Sequence, residues 1–333
     1  MNDDPFAALA PARRQIAREA LATAFGAAPV SAIQPVAGGA SGASAFRVDV
    51  GGGRFLLRLE GTASPLRNPH QYLSMRLAAE SGLAPALRHV DETERVAVMD
   101  FVDSRPLSAF PGGPPALLYA LGDLLRRLQA VAGFPSFVGY PDIVARLFAH
   151  VRRTGLFAPG LLAAHVARLE RVSAAYGAGL TQLTASHNDL IPANILFDGG
   201  RLWLIDWESA YANDPLVDVS TVLDTLAPVP ALENAFFDGW LGRAPDETMR
   251  VRLEIARALT RLYYAGVFLS ASAAAKVAAG DTDLSALDVA QFRAMVGDGR
   301  LRPGTPQTRH VLGKMFLASF LDGTAPPGFD SAV

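Results

Sequence analysis

The stretch Ser186-His187-Asn188-Asp189-Leu190-Ile191-Pro192-Ala193-Asn194-Ile195-Leu196, with its sequel Leu204-Ile205-Asp206-Trp207-Glu208, decides how this chain is read. Ile195-Leu196-Phe197 reads as a short strand. Asp198-Gly199-Gly200 reads as a turn, since glycine reaches positive φ at little cost. Arg201-Leu202-Trp203-Leu204-Ile205 reads as the returning strand. A hairpin of this size brings the chain back beside its start, so Asp206 is expected close to Asn194. Either half alone reads as an ordinary loop or hairpin. Both halves, in this order and this closely spaced, point to chemistry.

The residue types indicate which chemistry. Asp189 and Asn194 stand five positions apart. A carboxylate at Asp189 can take the proton of a hydroxyl. The amide oxygen of Asn194 and the carboxylate of Asp206 can hold Mg²⁺ against the phosphates of ATP. Mg²⁺ prefers hard oxygen ligands and retains several waters, so two protein ligands plus phosphate oxygens suffice.

The pattern His187-x-Asp189-x-x-x-x-Asn194, followed by Ile205-Asp206-Trp207-Glu208, resembles the aminoglycoside phosphotransferase/choline kinase superfamily. The continuation from Ser209 through Tyr211 and Asp214-Pro215-Leu216-Val217-Asp218 is most similar to its bacterial choline/ethanolamine kinase branch. The resemblance implies an α+β, two-lobed protein-kinase-like fold, with a small antiparallel-sheet N-lobe and a larger, mainly helical C-lobe. It implies Asp189 as catalytic base, Asn194 and Asp206 as metal ligands, and Asp218 as a brace for the catalytic loop. It covers most of the chain in the order of its parts and is specific only between Ser186 and Asp218.

Composition agrees with such a chain and narrows the alternatives. The 333 residues are 50% hydrophobic and 19% charged, enough for a sizeable core in two lobes. The net charge of −2 offers no electrostatic case for nucleic acid or an anionic membrane. Cysteine is absent, which excludes disulfides, thiolate catalysis and cysteine-based zinc sites. The start, Met1-Asn2-Asp3-Asp4-Pro5, lacks a basic-then-apolar signal pattern, and no apolar run reaches membrane-spanning length. A cytoplasmic protein is expected.

Upstream, apolar residues at helical spacing predict a helix over 11–25, packed outside the first lobe. Residues 31–61 predict three strands. Ala37-Gly38-Gly39-Ala40-Ser41-Gly42-Ala43-Ser44 links the first two. Such a small-residue loop lets backbone N–H groups approach phosphates, so Gly38, Gly39, Ser41, Gly42 and Ser44 are candidate nucleotide contacts. The other reading is a plain hairpin loop, because no clean G-x-G-x-x-G is present. Kinases place a lysine on the third strand to hold the α- and β-phosphates. Here lysine occurs only at Lys276 and Lys314, so Arg58, at the matching place, is expected to take that role through its bidentate guanidinium. A helix is predicted over 69–82. Its position matching the usual acidic partner of the strand cation holds Gln71, which cannot form the ion pair, so the partner of Arg58 is left open. Glu80 is expected on a wet face.

Strands are predicted over 86–90 and 95–99. Asp100-Phe101-Val102-Asp103 resembles the family's inter-lobe hinge, with the backbone of Asp100 and Val102 on the adenine and Met99 behind it. The lobes are expected to divide near residue 103, as 1–103 and 104–333. Beyond Pro115 the chain predicts helices, the clearest carrying Leu117, Leu118, Leu121, Leu124, Leu125 and Leu128. His150 and His165 lack ligand partners and are expected to be solvated.

Two functional classes compete. One is an ATP-dependent phosphotransferase with a small-molecule hydroxyl acceptor, requiring Mg²⁺. The other is a pseudokinase-like nucleotide-binding module. Retention of Asp189, Asn194 and Asp206 favours the enzyme. Twelve positions between Asp206 and Asp218 leave no room for a peptide-docking activation segment, which disfavours a protein kinase. A choline- or ethanolamine-like acceptor leads, with aminoglycoside, thiamine-like alcohol and sugar as alternatives. Phe236, Phe237, Trp240, Tyr263, Tyr264 and Phe268 are either walls for a quaternary ammonium or core residues. Glu208 and Asp214 either face a cationic acceptor or are solvated.

Overall fold

The computed structural model describes residues 4–36, 43–61, 68–180 and 182–324. Gly38, Gly39, Ser41 and Gly42 lie outside the described residues. The chain divides into two compact units. The first comprises Met1–Pro135, Thr184–Ala212 and Val229–Gly242; the second comprises Ser136–Leu183, Asn213–Pro228 and Arg243–Val333.

The first unit is built on a five-stranded antiparallel sheet of β1 (Val30–Pro35), β2 (Ser44–Val50), β3 (Gly53–Leu59), β4 (Leu87–Asp91) and β5 (Val96–Asp100), in the order β1-β2-β3-β5-β4. The alternation seen in the sequence is the alternation of its faces. Val48, Val50, Leu57, Leu59, Val96 and Val98 are buried on one side. Helix α1 (Pro11–Phe25) covers that side with Ala17, Ala20 and Leu21. The opposite face of β3 carries Arg58, two residues from Leu56 along the strand. Helix α2 (Gln71–Glu80) lies between β3 and β4, with Gln71, Tyr72, Ser74, Met75 and Ala78 buried and Glu80 exposed as expected.

Helix α3 (Gly113–Gln129) buries the predicted leucine stripe and ends on Arg126 and Arg127, whose charge suits a helix C-terminus. It packs against the helix Pro230–Leu241. That contact buries Phe236, Phe237 and Trp240, and the indole N–H of Trp240 donates to Gln129 Oε1 at 2.7 Å. Those three aromatics are therefore core.

The second unit is helical. The long helix Glu247–Ala274, capped by Asp246 accepting from the Met249 N–H at 2.9 Å, packs against the helices Tyr140–Arg153, Ala163–Gly179, Pro215–Leu226 and Pro306–Gly323. Tyr263 packs at a tilt against Tyr140 and Tyr264 at a tilt against Phe316, on which Phe268 stacks. Two sequence expectations are corrected here. His165 is 2% exposed, set between Phe148 and Phe320. Asp214 is buried too, capping the helix Pro215–Leu226 through the Leu216 N–H and pairing with Arg252 at 3.2 Å. Among the described residues no helix is long and apolar enough to cross a membrane.

Candidate active site

The central stretch folds as its local chemistry directs. After the short strand Thr184–Ser186, Asn188 takes φ +63°, a left-handed conformation that asparagine tolerates. Its Nδ2 donates to the carbonyls of Ser209 (2.9 Å) and Tyr211 (3.3 Å). The buried His187 donates from Nε2 to the Ile205 carbonyl at 2.8 Å and lies against the Trp207 ring. A single 3-10 turn, Pro192–Asn194, then leads into the hairpin strands Ile195–Phe197 and Leu202–Leu204.

The register Ile195↔Leu204, Leu196↔Trp203 and Phe197↔Leu202 is the predicted hairpin. Asp198 closes its turn by accepting from the Gly200 and Arg201 N–H groups at 2.7 and 2.8 Å. Gly199 has φ +101°, and a Cβ there would meet the Arg105 side chain at 2.8 Å, so this position requires glycine. The Ile205 N–H donates to the Asn194 carbonyl at 3.0 Å, which sets Asp206 one residue beyond that bond.

Asp189 and Asn194 are joined directly. Asn194 Nδ2 donates to the Asp189 carbonyl (2.8 Å) and to Asp189 Oδ2 (3.0 Å). With the amide nitrogen so committed, the amide oxygen is the group of Asn194 suited to a cation. Asp206 adopts φ +66°, ψ +64°, a conformation that aspartate tolerates better than most side chains, and the chain at once turns into the 3-10 segment Trp207–Ser209. An amide oxygen and a carboxylate oxygen on one hairpin form the hard donor pair that suits a small divalent cation such as Mg²⁺.

Arg58 reaches this loop from β3. Its Nη1 lies 2.7 Å from Asp206 Oδ1, its Nη2 donates to Glu208 Oε2 at 3.0 Å, and its Nε faces Glu60 Oε1 at 3.5 Å. Burial works against the charge of this guanidinium. The carboxylates of Asp206, then Glu208, then Glu60 more than offset it, so Arg58 is held above its ordinary range and stays protonated. Glu208 is thus paired with Arg58 through Oε2.

Helix α2 is tied to the same loop by short bonds. Asn68 Nδ2 and Ser74 Oγ both donate to the Ala210 carbonyl at 2.7 Å. Gln71 Nε2 donates to Glu60 Oε2 at 2.7 Å. Glu60 escapes a reading of the sequence because it looks like the outward residue of an alternating strand. The available signal was its parity, since residues i and i+2 share a face and Glu60 therefore accompanies Arg58.

Of the remaining candidates, Ser44 opens β2 with its side chain exposed, and Met99 is buried on β5. The Asp100 N–H donates to the Ala86 carbonyl at 2.9 Å, so a base at this residue is left the carbonyl rather than the N–H. The Asp100 carboxylate is engaged by Arg88 at 2.6 and 2.9 Å. Val102 is half-buried. Asp218 is fully buried in the first turn of the helix Pro215–Leu226, in the second unit.

The family model of the phosphotransferase enzyme family matches residues 32–255, about two thirds of the chain, from within β1 to past the hairpin. The chain belongs to this family. This phosphotransferase is similar in structure to a choline/ethanolamine kinase family protein from Mesorhizobium loti, with a TM-score of 0.67 and 20% identity over 96% of this chain and 97% of that one. It is similar also to a thermostable mutant of the aminoglycoside phosphotransferase APH(4)-Ia, with a TM-score of 0.61 and 18% identity over 92% and 99%. A 42-residue segment is 48% identical to Protein LicA of Haemophilus influenzae, covering 13% of this chain and only 16% of LicA. The fold is accordingly α+β and protein-kinase-like, and the protein is an enzyme of the phosphotransferase class.

Proposed function

We propose that this phosphotransferase moves the γ-phosphoryl group of ATP to a hydroxyl of a small amino alcohol of the choline or ethanolamine kind. The observation that carries the reading is the convergence of Asp189, Asn194, Asp206 and Arg58 on one loop and its facing strand. The name of the Mesorhizobium loti neighbour, a choline/ethanolamine kinase family protein, supports the acceptor class. The APH(4)-Ia likeness keeps an aminoglycoside as the second reading.

In this reading Asp189 accepts the proton of the acceptor hydroxyl at its carboxylate while Asn194 Nδ2 holds that carboxylate in place. Arg58 binds the phosphates, exchanging its contacts with Asp206 and Glu208 for phosphate oxygens. Mg²⁺, held by the Asn194 amide oxygen and the Asp206 carboxylate, would neutralise charge on those oxygens. The small-residue loop 37–44 would supply backbone N–H groups to those oxygens. Met99, the Asp100 carbonyl and Val102 receive the adenine, at the end of an N-terminal nucleotide-binding segment, 1–103. The enzyme works in the cytoplasm, where ATP is supplied.

The test is Asp189→Asn, which keeps the shape and removes the charge. ATP affinity by calorimetry and the thermal melt should stay as in the wild type. Turnover of choline, ethanolamine or whichever acceptor an ATP-consumption screen identifies should fall by roughly 10²–10⁴, the range for loss of a general base. A folded Asp189→Asn protein with wild-type turnover would show that this loop is not the catalytic one and would favour a nucleotide-binding module.

A further inference from the structure

We propose that Glu60 is the positioning residue for Arg58, doing from just past the end of β3 what an acidic residue of α2 does in kinases that pair the two elements by charge. The inference rests on the reading of Arg58 as the phosphate cation. Three observations carry it.

Glu60 is the most deeply buried of the carboxylates around Arg58. Its side chain is 1% exposed, against 19% for Asp206 and 28% for Glu208. A carboxylate so buried is costly unless its oxygens are engaged, and here the two oxygens divide the work. Oε2 accepts from Gln71 at 2.7 Å, and Oε1 faces Arg58 Nε at 3.5 Å.

The partners are also arranged by position on the guanidinium. Glu60 meets the inner edge, at Nε, while Asp206 and Glu208 meet the terminal nitrogens Nη1 and Nη2. The terminal nitrogens are those a phosphate reaches in a fork geometry. Nucleotide binding therefore exchanges Asp206 and Glu208 for phosphate oxygens and can leave the Glu60 contact in place, so the head group keeps its direction in both states.

Gln71 then has a stated role. It occupies the place on α2 where an acid would reach the strand cation, and it instead holds the acid that follows β3. Helix α2 is itself held by the Asn68 and Ser74 bonds to Ala210, so it needs no charge pair with Arg58 to stay docked. A chain with glutamine at 71 and arginine at 58 can therefore keep the strand cation oriented.

The experiment compares the binding of ATP with Mg²⁺ and of adenosine, by calorimetry, across variants of the full chain. Glu60→Gln should weaken ATP by roughly tenfold, the size of one charge-assisted contact, and leave adenosine unchanged, because adenosine carries no phosphate for Arg58. A purely structural role for Glu60 would weaken both ligands alike. The double variant Arg58→Ala/Glu60→Gln should bind ATP no more weakly than Arg58→Ala, since Glu60 acts only through Arg58. Transposing the pair, as Glu60→Gln with Gln71→Glu, should bring ATP affinity back to within about threefold of wild type. That variant decides alone if the single one does not fold. Wild-type ATP affinity in Glu60→Gln, additive losses in the double variant, or no recovery on transposition would each overturn the proposal. If Arg58→Ala binds ATP as the wild type does, the phosphate-cation reading fails and this inference with it. If Arg58→Ala weakens ATP and Glu60→Gln does not, only the role of Glu60 fails.

Discussion

At the scale of single residues, the choice of arginine at position 58 has a geometric reason. One guanidinium meets three carboxylates along different edges, which the compact point charge of a lysine ammonium cannot do. Removing it leaves Asp206 and Glu208 without this cation and, in the proposed reading, leaves the phosphates without theirs. We expect Arg58→Ala to weaken ATP by about 1.5–3 kcal/mol, the worth of hydrogen bonds to charged groups, or roughly 10- to 100-fold in dissociation constant. Arg58→Lys should recover only part of this. Titration calorimetry of the two variants checks the order. A lysine variant as tight as wild type would mean that charge alone, and not the planar fork, is what the site requires.

At the scale of elements, the crossing of α3 with the helix Pro230–Leu241 depends on two glycines. A Cβ at Gly239 would sit 2.0 Å from the Tyr119 carbonyl oxygen, and one at Gly122 would sit 2.2 Å from the Phe236 carbonyl oxygen. Both obstacles are backbone, so no side chain can turn aside, and the helices must separate instead. Separation loosens the packing of Phe236, Phe237 and Trp240, which are all nearly or fully buried there. We expect Gly239→Ala to destabilise the fold by at least the 1–3 kcal/mol or so usual for overpacking, measured by urea denaturation. An unchanged midpoint would show that the two helices can move apart at no cost. Neither glycine stands out in a sequence search for turns, because each is a helix-interior residue whose reason lies on the other helix.

At the scale of the whole molecule, acid stability should carry the mark of one histidine. Burial between Phe148 and Phe320 holds the His165 imidazole below the ordinary histidine range. The unfolded chain therefore takes up a proton near pH 6.5 that the folded chain refuses. The stability contributed by the neutral ring is fully present above about pH 6.5 and is lost as pH falls from there toward the lower folded-state value. We expect the melting temperature to fall between about pH 7 and pH 5, and His165→Phe, which keeps an aromatic ring in the stack, to fall less over that window. Scanning calorimetry of both proteins across the window checks it. Parallel curves would assign the acid sensitivity to other groups.

What the sequence determined by itself is the part made by near neighbours along the chain. Asp189 and Asn194 are five positions apart, and the hairpin that returns Asp206 to Asn194 is governed by its own turn residues. The sheet strands announce themselves by alternation, and α3 by its leucine spacing. All of these are set by hydrogen bonds and side-chain periods that close within a few residues. The tertiary structure decided which charges meet. Arg58 and Glu208 are 150 positions apart, and Ser74 and Ala210 are 136 apart. Glu60 looks like a wet strand residue until folding buries it against Gln71 and Arg58, and His165 looks solvated until two aromatic rings enclose it. Periodicity tells which face of an element is apolar. It does not tell which polar residues of the opposite face will be covered, and the burial that settles the partners and the protonation of such groups comes only from elements brought together by folding.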